Sequence, residues 1–394
     1  MLYSLGLMIL VSLVFSRLMK WLKLPPLLGM LFTGIVLGPF VFDQISPAIL
    51  DNSADLRQIA LIIILTRAGL ALNVSDLKKV GRPAFFMCFL PATFEIILTT
   101  IFAPLLFNIT YVEAAILGAV LGAVSPAVVV PQMLKLLESG YGKKAGVPQL
   151  IMAGASVDDI YVIVLFSTFM EIYRSGQISL NLLFTIPMAI IIGVLLGFVI
   201  GEALVKLFKS FHIRDTVKIL IILSTAFGLV SLEKAVQSWL PMSGLLAVMV
   251  VGVAILQEHQ ELAARLSQRF AKIWVLAELM LFILVGASID LNFVANAGLL
   301  GILLIAAALV FRSIGVFLSL LKTDLTAKER LFCTIAYLPK ATVQAAIGGL
   351  PLAANVGAGK LILTIAVLSI LVTAPLGAIG MDQTYAKLLT KDKD

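Results

Sequence analysis

Long apolar runs, separated by short polar connections, follow one another along the whole chain. Thirteen of these runs are long enough for a membrane-crossing helix, which needs about 20 residues. The predicted spans are residues 2–22, 26–42, 56–73, 83–107, 112–136, 147–172, 179–208, 215–232, 241–257, 269–290, 295–321, 329–350 and 359–380. The pattern therefore predicts an all-α polytopic membrane protein with about 13 transmembrane helices.

The composition agrees with this class and excludes several kinds of site. Hydrophobic residues make up 61% of the 394 residues, charged residues make up 13%, and the mean hydropathy is +1.09. Cys88 and Cys333 lie inside apolar spans, so no disulfide framework is indicated. His212 and His259 lie in polar connections, and they do not suggest a metal site.

The basic residues show on which side of the membrane each connection lies. One alternating set of connections and the carboxyl-terminal tail hold 22 lysines and arginines, and the opposite set holds four. By the positive-inside rule, the amino terminus is predicted outside and the carboxyl terminus in the cytoplasm. The net charge of +7 thus reflects membrane topology, and no nucleic-acid partner is expected.

Weak similarity between segments 213–219 residues apart indicates an internal repeat. Leu24-Pro25 followed by Gly34 matches Leu240-Pro241 followed by Gly252, and residues 65–73 align with residues 284–292. The predicted organisation is a single transmembrane unit, with repeat 1 at about 1–172, a linking helix at about 179–208, repeat 2 at about 215–380 and a short cytoplasmic tail at 381–394.

Equivalent spans in the two repeats are seven crossings apart, so the second repeat enters the membrane from the opposite side. This inverted topology is typical of secondary transporters.

Two repeat-related spans are interrupted near mid-membrane. Span 5 contains Ser125 and Pro126, and span 12 contains Pro339, followed by Thr342 and Gln344. Proline removes a helical hydrogen bond, and irregular backbone at this depth is tolerated only inside protein or beside a wet cavity. The sequence therefore predicts two crossed discontinuous helices whose half-helix ends can hold ions.

Five charged residues lie near the middle of predicted spans: Glu95, Asp158, Asp159, Arg312 and Lys340. A carboxylate at the bilayer centre costs about 2.5–3.5 kcal/mol on insertion scales, so such residues usually mark an ion pathway. Glu95 and Arg312 occupy equivalent positions in the two repeats, which predicts an ion pair between them. Lys340 is expected to neutralise Asp158, and this leaves one acid without a cation.

That remaining acid is predicted to be Asp159. Adjacent helical positions differ by about 100° in direction, so Asp158 and Asp159 serve different purposes. Ser156 and Asp159 share a face, and together they offer hydroxyl and carboxylate oxygens to a monovalent cation. Asp159 is thus the predicted metal ligand, and it would bind a proton or a sodium ion in turn.

Three segments resemble the monovalent cation/proton antiporter superfamily, specifically the NHA-type sodium–proton exchangers and their bacterial relatives. They are Ser125-Pro126-Ala127-Val128-Val129-Val130-Pro131, Gly154-Ala155-Ser156-Val157-Asp158-Asp159 and Pro339-Lys340-Ala341-Thr342-Val343-Gln344-Ala345-Ala346. The resemblance implies exchange of Na⁺ or Li⁺ for H⁺ without a cofactor. It also implies a homodimer with a dimerisation domain and a mobile six-helix core.

The same resemblance assigns individual roles and a cellular setting. It implies that Asp159 binds the cation, that Asp158 pairs with Lys340, and that the Glu95–Arg312 pair belongs to the NHA type. A bacterial cytoplasmic (inner) membrane and a part in pH homeostasis are the expected setting, with membrane lipids as surroundings.

Other functions agree less well with these residues. A K⁺/H⁺ antiporter of the superfamily usually carries a cytoplasmic nucleotide-binding domain, whereas no soluble regulatory domain is expected in this chain. A sodium-coupled organic-anion symporter of the bile-acid type shares crossed broken helices, but it needs no adjacent aspartates. An intramembrane aspartyl protease, the enzyme alternative, needs two carboxylates from separate helices. The choice among Na⁺, Li⁺ and K⁺ and the coupling ratio remain open at this point.

Overall fold

The computed structural model describes residues 1–71, 81–176, 180–211, 213–236 and 240–391. Within these ranges the chain is helical apart from turns and one isolated β-bridge between Tyr141 and Lys391. Nine of the described helical segments are long and apolar enough to cross a membrane, and three shorter apolar helices accompany them. The predicted all-α polytopic class is confirmed.

The helices of the first part of the chain are α1 (Leu2–Trp21), α2 (Pro26–Leu37), α3 (Pro47–Asp51), α4 (Ser53–Ala71), α5 (Arg82–Met87), α6 (Leu90–Phe107), α7 (Tyr111–Leu121), α8 (Pro126–Glu138) and α9 (Val147–Ser175). Those of the second part are α10 (Leu180–Ser210), α11 (Asp215–Val236), α12 (Gly244–Glu258), α13 (Gln260–Ala287), α14 (Leu291–Ser319), α15 (Ala327–Ala336), α16 (Thr342–Ile347), α17 (Leu350–Ala353) and α18 (Gly359–Leu388). Each of the thirteen predicted spans coincides with one or more of these helices.

Some boundaries differ from the prediction. Span 4 divides into α5 and α6 at Cys88–Phe89, and Pro91 lies in the first turn of α6, where a missing N–H is tolerated. The last helix, α18, continues to Leu388, so most of the predicted tail at 381–394 is helical. Hydropathy marks where a helix leaves the apolar region, and a helix can continue beyond that point.

Both predicted interruptions are present, and the helices that contain them begin in the same way. The first break separates α7 from α8 at residues 122–125, and the second separates α15 from α16 at residues 337–341. Capping boxes open α7 with Thr110 and Glu113 and open α15 with Thr326 and Glu329, 216 residues further on. In each box the threonine hydroxyl and the glutamate satisfy otherwise unpaired N–H groups.

Close contacts between glycines reveal the repeat in the packing. On α2, a Cβ at Gly34 would overlap the backbone of α13, whose Gly286 lies opposite. On α4, a Cβ at Gly69 would overlap the backbone of α12, whose Gly252 lies opposite. Because small residues let backbones approach closely, these two crossings can be tight. Spans 2 and 3 of repeat 1 are equivalent to spans 9 and 10 of repeat 2. The first crossing joins spans 2 and 10, and the second joins spans 9 and 3. Each crossing is therefore the repeat equivalent of the other.

The same contacts correct the register of the sequence alignment. That alignment placed Ser288 opposite Gly69, 219 residues apart. The packing instead makes Gly69 equivalent to Gly286, 217 residues apart, which is also the separation of Glu95 and Arg312. Short apolar segments can be aligned in several registers, whereas only glycine fits where two backbones touch.

The chain divides into two compact units. One contains Met1–Ala54, Val74–Tyr173 and Leu281–Asp394, and the other contains Asp55–Asn73 and Arg174–Met280. The first unit holds both broken helices and all five deep charges. In the second unit α10 packs against α12 through a stripe of small residues, Gly193, Gly197 and Gly201.

We predict that Gly34→Val lowers the free energy of unfolding by about 1–3 kcal/mol, because the added side chain collides with Ile283 O of α13. Thermal unfolding in detergent micelles measures this change. The matched control is Gly228→Val in α11, where an added Cβ meets nothing within 4 Å. Equal destabilisation by both substitutions would contradict the tight α2–α13 crossing.

Candidate functional site

The two helix breaks meet inside the first unit. The backbone N–H of Ser125 donates to Pro339 O at 2.8 Å, which joins the break after α7 directly to the break after α15. Three side chains donate to carbonyl groups at and just beyond the end of α7: Lys340 Nζ to Leu121 O, Arg312 to Gly122 O, and Gln344 Nε2 to Ala123 O. The negative end of the half-helix dipole is therefore covered by two cations and an amide.

Four of the deep charges form one buried network. Arg312 donates through one terminal nitrogen to Glu95 Oε2 at 2.9 Å and through the other to Asp158 Oδ2 at 2.8 Å. Lys340 Nζ lies 2.7 Å from Glu95 Oε1 and 2.8 Å from Glu95 Oε2. All four residues are 0% exposed. Two acids and two cations leave this network without net charge.

The predicted Glu95–Arg312 pair is present, but the predicted partner of Asp158 was wrong. Asp158 pairs with Arg312, and Lys340 pairs with Glu95. Arginine has five N–H donors in a rigid fork and can hold two carboxylates at once, whereas the lysine ammonium is compact. The sequence places these residues at similar depth, and the reach of each side chain decides the pairing.

Asp158 also binds the first broken helix. Its Oδ2 accepts the backbone N–H of Val124 at 2.8 Å in addition to the bond from Arg312. The same side chain thus connects α9 with the break after α7 and with the guanidinium group. A carboxylate that accepts charged and backbone donors is stabilised in its ionised form.

Asp159 lies outside this network. Its side chain is only partly buried, and its Oδ1 atom is buried without a hydrogen-bond partner in the described part of the chain. No ion pair joins Asp159 to any described cation. Adjacent positions on α9 differ by about 100° in direction, so the two side chains have different surroundings. Asp159 is therefore the acid left without a cation.

Several further oxygens near the breaks have no hydrogen-bond partner among the described residues. They are Ser125 Oγ, Thr342 Oγ1 and Gln344 Oε1, all on buried side chains. Hydroxyl and amide oxygens of this kind suit a hard cation. Pro126 begins the helix after the first break, and Pro339 lies within the second break. The side chain of Ser156 lies outside the part of the structure that is described.

Tyr337 has contacts that the sequence did not indicate. Its carbonyl oxygen accepts a hydrogen bond from Arg312 Nε at 2.7 Å, and its ring centroid lies 5.5 Å from the guanidinium carbon. A Cβ at Gly154 on α9 would collide with the Tyr337 hydroxyl. Pro339, two residues after Tyr337, was a signal for a break, but no sequence signal shows that the carbonyl group of Tyr337 accepts from Arg312.

Comparison with known proteins gives one consistent result. The family model described as "Sodium/hydrogen exchanger, transmembrane" matches residues 7–383. Human sodium/hydrogen exchanger 9B1 is 33% identical over 394 residues, which cover 94% of this chain and 74% of that protein. Human sodium/hydrogen exchanger 9B2 is 35% identical, with 95% of this chain and 72% of that protein covered.

A solved structure has the same fold. The sodium proton antiporter MjNhaP1 from Methanocaldococcus jannaschii, determined at pH 8, matches with a TM-score of 0.85. The match covers 98% of this chain and 97% of that chain at 21% sequence identity. The likeness supports the inverted helical repeat with two crossed broken helices.

We predict that Glu95→Gln or Lys340→Gln alone lowers the free energy of unfolding by about 3–5 kcal/mol, because each leaves an uncompensated buried charge. The double variant retains the neutral Arg312–Asp158 pair, so its loss should be smaller than the sum of the single losses. Thermal unfolding of the four proteins completes the double-mutant cycle.

Lys360→Gln is the control for this cycle. Lys360 forms a half-exposed pair with Asp290 at 2.7 Å, and such pairs contribute only about 0–1 kcal/mol. Additive losses for Glu95 and Lys340 would show that the two charges do not compensate each other.

Proposed function

The chain belongs to the family of transmembrane sodium/hydrogen exchangers, and we propose that Asp159 is the carboxylate that binds Na⁺ and H⁺ in turn. The activity is secondary active antiport of Na⁺ against H⁺ across a membrane. Family and fold do not favour the K⁺/H⁺ antiporter or the sodium-coupled organic-anion symporter.

The observation that carries this proposal is the single acid outside a neutral network. Asp158 and Glu95 are both held by cations, whereas Asp159 has no cation partner among the described residues. An ionised carboxylate inside a membrane is costly unless a positive charge accompanies it. Asp159 can acquire that charge from a proton or from a sodium ion.

Competition between the two ions at one carboxylate explains the coupling. Sodium can bind only after the proton has left, and the proton can return only after sodium has left. The ionised and empty carboxylate is the most costly form to move through the low-dielectric interior. The site therefore changes the side of the membrane to which it opens only when Asp159 carries a proton or a sodium ion. This alternation exchanges the two ions, because the empty, ionised site does not move.

We assign supporting roles to the surrounding residues. Ser125 and Thr342 are proposed as neutral oxygen ligands, and the sequence adds Ser156, three residues before Asp159. Asp158 contributes negative potential while it remains paired with Arg312. Gln344 and Lys340 hold the carbonyl groups at the end of α7. Carbonyl groups held in this way are not available to compete with Asp159 for the ion.

We also propose the cellular arrangement of the protein. The 22-to-4 distribution of basic residues supports an amino terminus outside and a carboxyl end in the cytoplasm. A homodimer in a bacterial cytoplasmic (inner) membrane, acting in sodium and pH homeostasis, agrees with the resemblance to NHA-type exchangers. No cofactor is needed, because the transported ions themselves change the charge of the site.

We predict that Asp159→Asn abolishes sodium-dependent proton movement, because the amide can carry neither the proton nor the charge. The measurement uses proteoliposomes with a preset pH gradient and an internal pH dye, to which sodium is added. Asp382→Asn is the control, since Asp382 is exposed and its ion pair among the described residues is with exposed Lys135, at 3.4 Å. It should retain full exchange.

Persistent exchange in Asp159→Asn would rule out Asp159 as the carrier. Parallel additions of Li⁺ and K⁺ to the wild-type protein distinguish the cations. A response to K⁺ equal to the response to Na⁺ would revive the K⁺/H⁺ alternative.

We further predict electroneutral exchange of one Na⁺ for one H⁺, because only Asp159 changes its bound charge while Asp158 stays paired with Arg312. The sodium-driven proton flux should then be independent of a membrane potential set with K⁺ and valinomycin. A flux that follows the potential would mean that a second group, with Asp158 the nearest, also releases a proton in each cycle.

A further inference from the structure

The turns that follow the two broken helices have the same construction. The first turn, residues 139–146, follows α8, and the second, residues 354–358, follows α17. The second residue of each lies in the left-handed region, Gly140 at φ 75° and Asn355 at φ 56°. The next N–H in each closes the helix end: Tyr141 N donates to Leu136 O, and Val356 N donates to Pro351 O, both at 2.9 Å. The two turns are therefore equivalent at a separation of 215 residues.

Each turn is held at an equivalent amide by the end of a long helix. Gly357 N donates to the Tyr173 hydroxyl, near the end of α9, at 3.0 Å. Gly142 N donates to Thr390 O, two residues beyond the end of α18, at 2.9 Å. The helices α9 and α18 correspond to spans 6 and 13, which are themselves equivalent in the repeat. The end of each repeat's last helix thus holds the turn of the other repeat.

Additional contacts reinforce the hold on the second turn. Ala358 N donates to Glu113 Oε1 at 2.8 Å, and this bond is buried. Glu113 also belongs to the capping box at the start of α7. The turn before α18 is thus joined both to the end of α9, through Tyr173, and to the beginning of the first broken helix.

Different contacts reinforce the hold on the first turn. Leu389 is 5% exposed and lies where it would contact a Cβ at Gly142. The rings of Tyr141 and Tyr385 pack edge to face with centroids 5.0 Å apart. Lys391 Nζ lies 5.7 Å from the Tyr141 ring centroid, and the two residues form a β-bridge. The segment Leu389–Lys391 therefore lies against the turn along its whole length.

A half-helix that is fixed at its far end transmits that restraint to the break. The helix α8 has 13 residues, and at 1.5 Å per residue it is about 20 Å long. It begins at the break where Val124 N bonds Asp158 and Ser125 N bonds Pro339. Movement of the turn along the helix axis would displace these bonds beside Asp159.

We propose that Tyr173 and the segment Leu389–Lys391 are a repeat-related pair of latches that position the two half-helices around the cation site. The role rests on the proposed exchange at Asp159, although the latches themselves do not touch the ion. Both are positioning elements on opposite faces of the predicted membrane. The Tyr173 latch is a side chain within a helix, whereas the other latch is main chain beyond a helix end. Only the second can be removed without interrupting a helix.

Two variants separate the latches. Tyr173→Phe removes only the hydroxyl, and its matched control is Tyr111→Phe, an exposed tyrosine at the start of α7. Deletion of residues 389–394 removes the second latch. Should the deletion prevent folding, Leu389→Ser weakens the packing of the same segment against Gly142, with exposed Lys387→Ser as its control.

Hydrogen exchange of the purified full-length protein tests the contacts themselves. Tyr173→Phe should raise amide exchange in residues 354–358 and leave residues 139–146 as in the wild type. Loss of the second latch should give the reverse pattern. If Tyr173→Phe leaves amide hydrogen exchange in residues 354–358 unchanged, the assignment of the first latch is wrong. If loss of the second latch leaves residues 139–146 unchanged, the assignment of the second latch is wrong. Neither result depends on which ions the protein transports.

Transport in proteoliposomes tests the positioning role. Each latch variant should raise the sodium concentration for half-maximal exchange about three- to tenfold, the effect of one lost hydrogen bond, with the maximal rate unchanged. A merely structural role would lower the amount of active protein, and hence the maximal rate, without changing that concentration. A lower maximal rate at an unchanged half-maximal sodium concentration would therefore overturn the proposal. So would faster amide hydrogen exchange in a turn whose variant keeps the wild-type half-maximal sodium concentration. Absence of sodium–proton exchange in the wild-type protein would instead refute the proposed function, and the hydrogen-exchange result would stand.

Discussion

The structure depends on the neutralisation of Glu95 and Asp158 by Arg312 inside the membrane-spanning helices. Each of these residues would be costly to bury alone, and an unpaired ion in such a place destabilises a protein by several kcal/mol. The planar guanidinium reaches both carboxylates at 2.8–2.9 Å because its N–H groups point in fixed directions. Lys340 supplies the second cation and makes the set electrically neutral.

The same cations also make the broken helices possible. Carbonyl groups exposed by a helix break in a membrane need partners, because no bulk water reaches them. Arg312, Lys340 and Gln344 supply these partners at the end of α7, while Asp158 accepts the N–H of Val124. The same charged side chains therefore neutralise one another and provide hydrogen-bond partners for the backbone groups at the break. Among the five deep charges, this neutrality leaves Asp159 as the acid without a cation partner in the described part of the chain.

The same structural features occur at equivalent positions in both halves of the inverted repeat. Capping boxes open both broken helices, paired glycines allow the two tight crossings, and left-handed residues close both half-helices. The repeat is not symmetric in its chemistry, however. Glu95 and Arg312 are equivalent positions with opposite charge, and this difference allows them to pair across the repeat. Likewise, a tyrosine hydroxyl holds one turn and a main-chain carbonyl holds the other.

The sequence by itself determined the helical class, the positions of helices in all thirteen predicted spans, the two breaks and the lack of a described cation partner at Asp159, because apolar runs, prolines and adjacent charges are local signals. It also indicated the Glu95–Arg312 pair, since internal repeats relate distant positions. Only the tertiary structure decided that Asp158 pairs with Arg312, that Lys340 turns to Glu95, and that Tyr337 orients the guanidinium. It likewise decided the register of Gly69 with Gly286 and the contacts at both turns. These features depend on the rotation of each helix about its axis and on side-chain reach, which are set when distant helices pack together.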